Sequence, residues 1–204
     1  MYPSIQNYCS ELVPHFDEIN AERKLLLQKV ADYIQQKNSS GQPTQLLYVC
    51  THNSRRSQFG QVWAAVAANY FNVKQVSSLS GGTEATAFHP NAINALKRIG
   101  FTINTKDESK ANPVYTIQFG DELSTTCFSK IYNYAANPER QFAAVMTCSD
   151  ADENCPFIPG VELRIGTTYE DPKAFDNTLQ QDTQYDTRCR QIALETLYVF
   201  SLVQ

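Results

Sequence analysis

Gln45-Leu46-Leu47-Tyr48-Val49-Cys50-Thr51-His52-Asn53-Ser54-Arg55-Arg56-Ser57-Gln58 is the stretch on which the reading of this chain turns. Gln45–Cys50 is a short apolar run suited to a buried strand, and a polar loop follows it. From Phe59 to Phe71 the pattern becomes helical, packed through Val62, Trp63, Val66 and Tyr70. Strand, polar loop and helix in that order open an α/β unit. A cysteine therefore leaves the C-terminal end of a strand, and its loop closes at a helix N-terminus. Unpaired backbone N–H groups and the helix dipole make such a place an anion site, and the same field suits a thiolate. Arg56 adds a planar fork matched to two oxygens of a tetrahedral anion. Ser57 can donate a hydrogen bond to the thiolate and ease its departure as a leaving group. Cys-x5-Arg alone is a weak signal; set between a strand and a helix, with Ser beside the Arg, it is a strong one.

Working outward, Val73–Leu79 reads as a second strand ending in Ser80-Gly81-Gly82. Pro90 suits the first turn of a helix running to Arg98, with Gly100 as its stop. Phe142–Cys148 is another buried-strand candidate that again delivers a cysteine at its C-terminal end, and Val161–Ile165 is a shorter one. The last helix, roughly 182–202, buries Ile192, Leu194, Leu197 and Val199/Phe200. This alternation implies an α/β fold with a mainly parallel sheet covered on both faces. Upstream, residues 1–44 read as a polar leader around one amphipathic helix, His15 to Gln36, with Ile19, Leu26, Val30 and Tyr33/Ile34 on one face. Asn38–Pro43 ends that helix as a loop. One stretch breaks the rhythm: Val114–Phe119, then Gly120-Asp121-Glu122, then a β-rich run from Ser124 to Tyr134, which reads as a β-hairpin between the units.

The chain has 204 residues, 42% hydrophobic and 19% charged, with a net charge of −4, the profile of a globular protein without broad affinity for nucleic acid or anionic membranes. No apolar run approaches the roughly 20 residues of a membrane span, and the first residues lack a basic start before an apolar run. The expected location is the cytoplasm. Six cysteines are too few for a disulfide scaffold. Cys9, Cys127 and Cys189 read as buried small hydrophobes; Cys50, Cys148 and Cys155 call for another reading.

Cys148-Ser149-Asp150-Ala151-Asp152-Glu153-Asn154-Cys155-Pro156 places two thiols seven positions apart. They can close a small disulfide if the acidic loop between them is mobile, or they are two unrelated thiols. A metal site fits poorly, because Cys-x6-Cys lacks a second ligand pair and the chain has three histidines. Further on, Glu170-Asp171-Pro172 presents an acid just before a proline, where the chain is held extended; Asp-Pro is also a common turn element.

At these residues the sequence resembles the low-molecular-weight protein tyrosine phosphatase superfamily, and within it the thioredoxin-coupled arsenate reductases. Their loop usually reads Cys-Thr-Gly-Asn-Ser-(Cys/Ala)-Arg-Ser-Gln. Here Cys50, Thr51, Asn53, Ser54, Arg56, Ser57 and Gln58 keep the pattern. His52 replaces a glycine, a change that strains the loop if positive φ is needed there, and Arg55 adds a cation beside the mouth. The segment from Ser80 through His89-Pro90 to Gly100 resembles the family's second strand–helix unit. The resemblance covers most of residues 45–204; it fails over 1–44, taken as a helical extension, and over roughly 105–138, taken as a hairpin insertion peripheral to the chemistry.

The resemblance implies a three-layer α/β/α fold around a four-stranded sheet. It implies an oxyanion loop of Thr51, His52, Asn53, Ser54 and Arg55, with Cys50 as nucleophile, Arg56 and Ser57 beside it, and Asp171 as general acid. Cys148 and Cys155 stand where the reductases carry their second and third redox cysteines. Two chemistries share the first step, attack by Cys50 on the central atom. A reductase then resolves the adduct through Cys148 and Cys155 and passes the disulfide to thioredoxin; a phosphatase hydrolyses a phosphocysteine. Gln58 after Ser57, Lys173-Ala174 after the Asp-Pro, and both extra cysteines favour the reductase. A non-catalytic oxyanion-binding module is the third reading, disfavoured by intact Cys50, Arg56 and Asp171. Some members hold potassium through an acid four residues beyond the Arg-Ser; Gln61 stands near that place, so no metal is carried over and no cofactor is expected beyond an external reductant.

Overall fold

Four parallel strands carry the site: β1 (Thr44–Cys50), β2 (Val76–Gly82), β6 (Phe142–Met146) and β7 (Val161–Gly166), in the order β2-β1-β6-β7. They belong to a computed structural model that describes residues 1–154 and 157–203. Around them lie α1 (Pro3–Leu12), α2 (Ala21–Ser39), α3 (Arg56–Tyr70), α4 (Pro90–Ile99), α5 (Ser149–Asn154) and α6 (Gln181–Ser201). Among the described residues, no helix is long and apolar enough to cross a membrane.

Side-chain alternation along β1 and β6 explains the layers. Leu46, Tyr48, Ala143 and Val145 face a core shared with Phe59, Trp63, Ile192 and Leu197, beneath α2, α3, α4 and α6. Leu47, Val49, Ala144 and Met146 face the other way, under a thinner layer of α5, Ile158 and Tyr132. Each fully buried large side chain in these cores contributes on the order of 2–3 kcal/mol of transfer free energy. Gly100, at φ +113, ends α4 in the left-handed conformation that glycine adopts freely.

The leader forms two helices where one was expected. α1 starts with Pro3 in its first turn and buries Ile5, Cys9 and Leu12. A 3-10 segment, Val13–Glu18, follows, and Asn20 then caps α2 by accepting the Arg23 N–H at 2.8 Å. The cap sets the α2 start at Ala21; Leu27 is buried, and Leu26 packs half-buried against the same core. Residues 1–44 share one core with α3 and α6: Tyr8 stacks on Trp63 at 5.5 Å, and Ile5, Leu27 and Ile34 join the same cluster.

The hairpin is present, with a shorter second arm and a third strand. β3 (Thr102–Thr105), β4 (Tyr115–Gln118) and β5 (Ser124–Cys127) form an antiparallel sheet of their own. After β5 the chain runs past the end of β2, where the Gly82 N–H donates to Lys130 O and the Tyr132 N–H to Gly82 O, each at 2.8 Å. The Tyr2 N–H donates to Phe119 O at 2.8 Å, so leader and insertion are joined.

Candidate active site

Parallel pairing brings the strand C-termini to one edge. Val49 is level with Met146 and Cys50 with Gly82, while the Thr147 N–H and hydroxyl both donate to Val49 O at 2.7 and 2.8 Å. Cys50 and Cys148 therefore emerge side by side from neighbouring strands. Gly82 makes room for the loop, since a Cβ there would stand 2.6 Å from Thr51 O and 2.8 Å from Asn53 N.

Between Cys50 and α3 the carbonyls are turned outward and engaged. Cys50 O accepts from the Thr83 N–H at 3.3 Å, Thr51 O from the Glu84 N–H at 2.8 Å, and Ser54 O from the His89 N–H at 3.0 Å. His52 O accepts from the Ser129 and Thr86 hydroxyls at 2.8 and 3.1 Å, and Asn53 O from the Gln58 amide at 2.9 Å. In a trans peptide the next N–H lies opposite its C=O, so the loop amides face inward. At the end of the loop Arg55, the N-cap position of α3, provides no side-chain cap, leaving the first-turn amides open to an anion.

Within this cradle the Cys50 sulfur lies 3.0 Å from the Ser57 hydroxyl, and the Asn53 amide donates to Ser57 Oγ at 2.8 Å. Arg56 Nη1 donates to Tyr169 O at 2.8 Å and Nη2 to Asp171 Oδ2 at 2.6 Å, while the Lys173 N–H donates to Asp171 Oδ1 at 3.0 Å. The Arg56 Nε is buried with no acceptor among the described residues, and an oxyanion oxygen would supply one. The expected positions Cys50, Thr51, Asn53, Ser54, Arg56, Ser57 and Asp171 thus meet around one loop.

The loop departs from expectation at two positions. The positive φ falls on Asn53, at +46, and not on His52, so replacing glycine by His52 introduces no strain of that kind. His52 lies half-exposed, 3.6 Å from Glu84. Arg55 turns away from the mouth: its Nε donates to the Tyr185 hydroxyl at 2.6 Å and its Nη2 to Asp176 at 3.0 Å, and the residue is 8% exposed. Burial alone would raise the Asp176 carboxyl, but the Tyr185 hydroxyl, Arg55 and Asn91 outweigh it and hold it below its ordinary value. Tyr185 and Asp176 lie far along the chain from Arg55, and nothing in the sequence linked them.

The insertion is not peripheral. The Gln58 amide donates to Phe128 O at 3.0 Å, Ser129 Oγ holds His52 O, and the Lys130 N–H donates to Asn53 Oδ1 at 2.9 Å. Gln61 donates to Thr125 Oγ1 and Thr126 O at 2.9 and 2.8 Å and accepts from Ser80 at 2.6 Å, so a neutral amide network occupies the position read against the potassium-binding acid. Among the described residues no cluster of His, Cys, Asp and Glu could hold a metal ion. Replacing residues 124–131 with a Gly/Ser linker should lower kcat/KM for p-nitrophenyl phosphate by about 10²-fold, roughly 2.7 kcal/mol of barrier. A folded variant within threefold of the parent would show that the loop holds its shape unaided.

Cys148 is 1% exposed, with its sulfur 3.4 Å from both the Thr51 hydroxyl and the Ala151 N–H. Thr51 also donates to Asp150 at 2.6 Å, tying α5 to the oxyanion loop. Cys155 lies outside the described residues. Cys9, Cys127 and Cys189 are buried, and burial pushes each thiol up to about 12, where it stays protonated and inert.

Comparison with known proteins adds names to this geometry. No family model matches the chain. An arsenate reductase of Brevibacillus brevis is 30% identical over 128 residues, 62% of this chain and 75% of that protein. An arsenate reductase of Bacillus subtilis is 26% identical over 145 residues, 71% of this chain and 86% of that one. In fold, a low-molecular-weight phosphotyrosine phosphatase of Vibrio cholerae matches 78% of this chain and 95% of its own with a TM-score of 0.51 at 13% identity. The Erwinia amylovora tyrosine phosphatase amsI matches 79% and 94% with a TM-score of 0.50 at 11% identity.

Proposed function

We propose, since this chain belongs to the low-molecular-weight protein tyrosine phosphatase superfamily and stands close to its arsenate reductases, that it reduces arsenate to arsenite with a thiol relay. The observation that carries this reading is the emergence of Cys50 and Cys148 from adjacent parallel strands, with Thr51 touching the Cys148 sulfur at 3.4 Å. The Cys50 thiolate attacks arsenic and displaces a hydroxide, while inward amides and Arg56 stabilise the charge on the oxygens. Cys148 then attacks the Cys50 sulfur. A Cys50–Cys148 disulfide forms, the sulfur–arsenic bond breaks, and its electron pair leaves with arsenite. Cys155 attacks Cys148 in turn, frees the Cys50 thiolate, and leaves a Cys148–Cys155 disulfide for an external dithiol such as thioredoxin.

The assay is arsenate-dependent NADPH oxidation with thioredoxin and thioredoxin reductase. Steady oxidation supports the reading; none, in a chain that cleaves p-nitrophenyl phosphate, counts against it.

The Arg56–Asp171 pair at 2.6 Å favours phosphate-ester hydrolysis as a second activity of the same loop, because it brings a carboxyl to the anion's edge. Asp171 would protonate the leaving group and then activate water. Asp171→Asn should slow hydrolysis of alkyl phosphates, whose leaving group needs the proton, by about 10²-fold, and p-nitrophenyl phosphate much less. Equal losses on both would point to a purely structural role.

A further inference from the structure

A groove of about 690 Å³ runs between α3, the open edge of β2 and β5 of the insertion, apart from the mouth of the oxyanion loop. Its volume lies within the range of small-molecule sites. Lys130 stands on its wall. The residue is 4% exposed, with its ammonium 4.6 Å above the centre of the Phe128 ring. None of the described residues offers that ammonium a carboxylate or a hydrogen-bond acceptor. Burial lowers it to about 8, so it is largely charged at neutral pH. The ammonium keeps some contact with the groove, but most of its side chain is buried and it has no counter-charge, so it is poorly solvated and an anion seated beside it would offset that cost.

The rest of the wall says what the anion carries. Leu123, Phe128, Val76 and Leu79, each partly exposed, give it apolar surface. Lys74 and Glu122, both exposed, also line the groove and carry opposite charges. One interior positive charge matches one negative charge; a dianion would bring a second with no partner. The β2 edge over residues 76–79, short of the Gly82 pairing, offers backbone N–H donors to the same groove.

We propose that this groove is a binding site for a small amphipathic monocarboxylate, its carboxylate paired with Lys130 and its apolar body against Leu123 and Phe128. Lys130 reaches the oxyanion loop through its backbone, since its N–H donates to Asn53 Oδ1 and the Asn53 amide to Ser57. A side-chain substitution at Lys130 leaves both bonds in place.

The probe is 2-naphthoate, titrated by calorimetry into the full chain with inorganic phosphate saturating the oxyanion loop. Binding in the submillimolar range is expected, weakened at least tenfold by Lys130→Met and held within about threefold by Lys130→Arg. In the unsubstituted protein, amide NMR shifts should concentrate at residues 61, 76–79 and 119–130, a readout that does not depend on the variant folding. No binding at millimolar probe, binding abolished by phosphate, equal affinity in a folded Lys130→Met, or shifts centred on residues 50–57 would each overturn the proposal.

Discussion

Cys50→Ser should bring both arsenate turnover and aryl phosphate hydrolysis below detection, a loss of at least about 10⁴-fold, because an activated thiolate is replaced by a hydroxyl that stays protonated at neutral pH. The surroundings sharpen this expectation. Ser57 lies 3.0 Å from the sulfur, and Asn53 holds Ser57 in turn; none of these groups is a base that could activate a serine. The substitution changes one buried atom, so the outward carbonyls and the Arg56–Asp171 pair should persist, and phosphate should still bind with an affinity measurable by calorimetry. Turnover above one per cent of the parent in either assay would remove Cys50 from the chemistry.

Cys148→Ser should abolish thioredoxin-linked arsenate turnover, at least about 10³-fold, while leaving p-nitrophenyl phosphate hydrolysis within about threefold, some 0.7 kcal/mol. Hydrolysis needs the cradle, Arg56 and Asp171, and no second thiol. Reduction needs a sulfur able to attack Cys50, and a serine cannot form that bond. Cys148 touches the cradle through Thr51 Oγ1 at 3.4 Å, a contact that a serine hydroxyl can replace, so the loop should keep its shape. Parallel loss of both activities would show that Cys148 acts only by packing beneath the loop.

The part of the fold legible in sequence was the part built from local runs. Gln45–Cys50 and Phe142–Met146 announce themselves as uninterrupted apolar segments, and the polar loop before Phe59 marks the junction with α3. α1 escaped notice although its signal was there: Pro3 in the first turn, then Ile5, Cys9 and Leu12 at helical spacing. The period runs short because Val13-Pro14 interrupts it, and a ten-residue helix offers few repeats to count. β3 was hidden for another reason, since a four-residue edge strand with alternating exposure carries almost no pattern. In the site, Cys50 and Arg56 stood out as candidates by their place between a strand and a helix, whereas Asp171 was singled out only by the family resemblance. What was not legible depends on contacts between distant segments: Arg55 meets Tyr185, 130 positions away, and the backbone of residues 128–130 meets Asn53 and Gln58. An insertion read from sequence alone is only an interruption; its bearing on the loop is set by tertiary packing.

The relay is tested most directly by treating Cys155→Ser with arsenate in the absence of reductant, alkylating free thiols, and weighing the peptides. Without the third thiol the sequence should halt after one turnover, with a Cys50–Cys148 disulfide in stoichiometric yield and one arsenite released per chain. Fully alkylated Cys50 and Cys148, in a protein that still cleaves p-nitrophenyl phosphate briskly, would contradict the relay and leave hydrolysis as the chemistry of this loop.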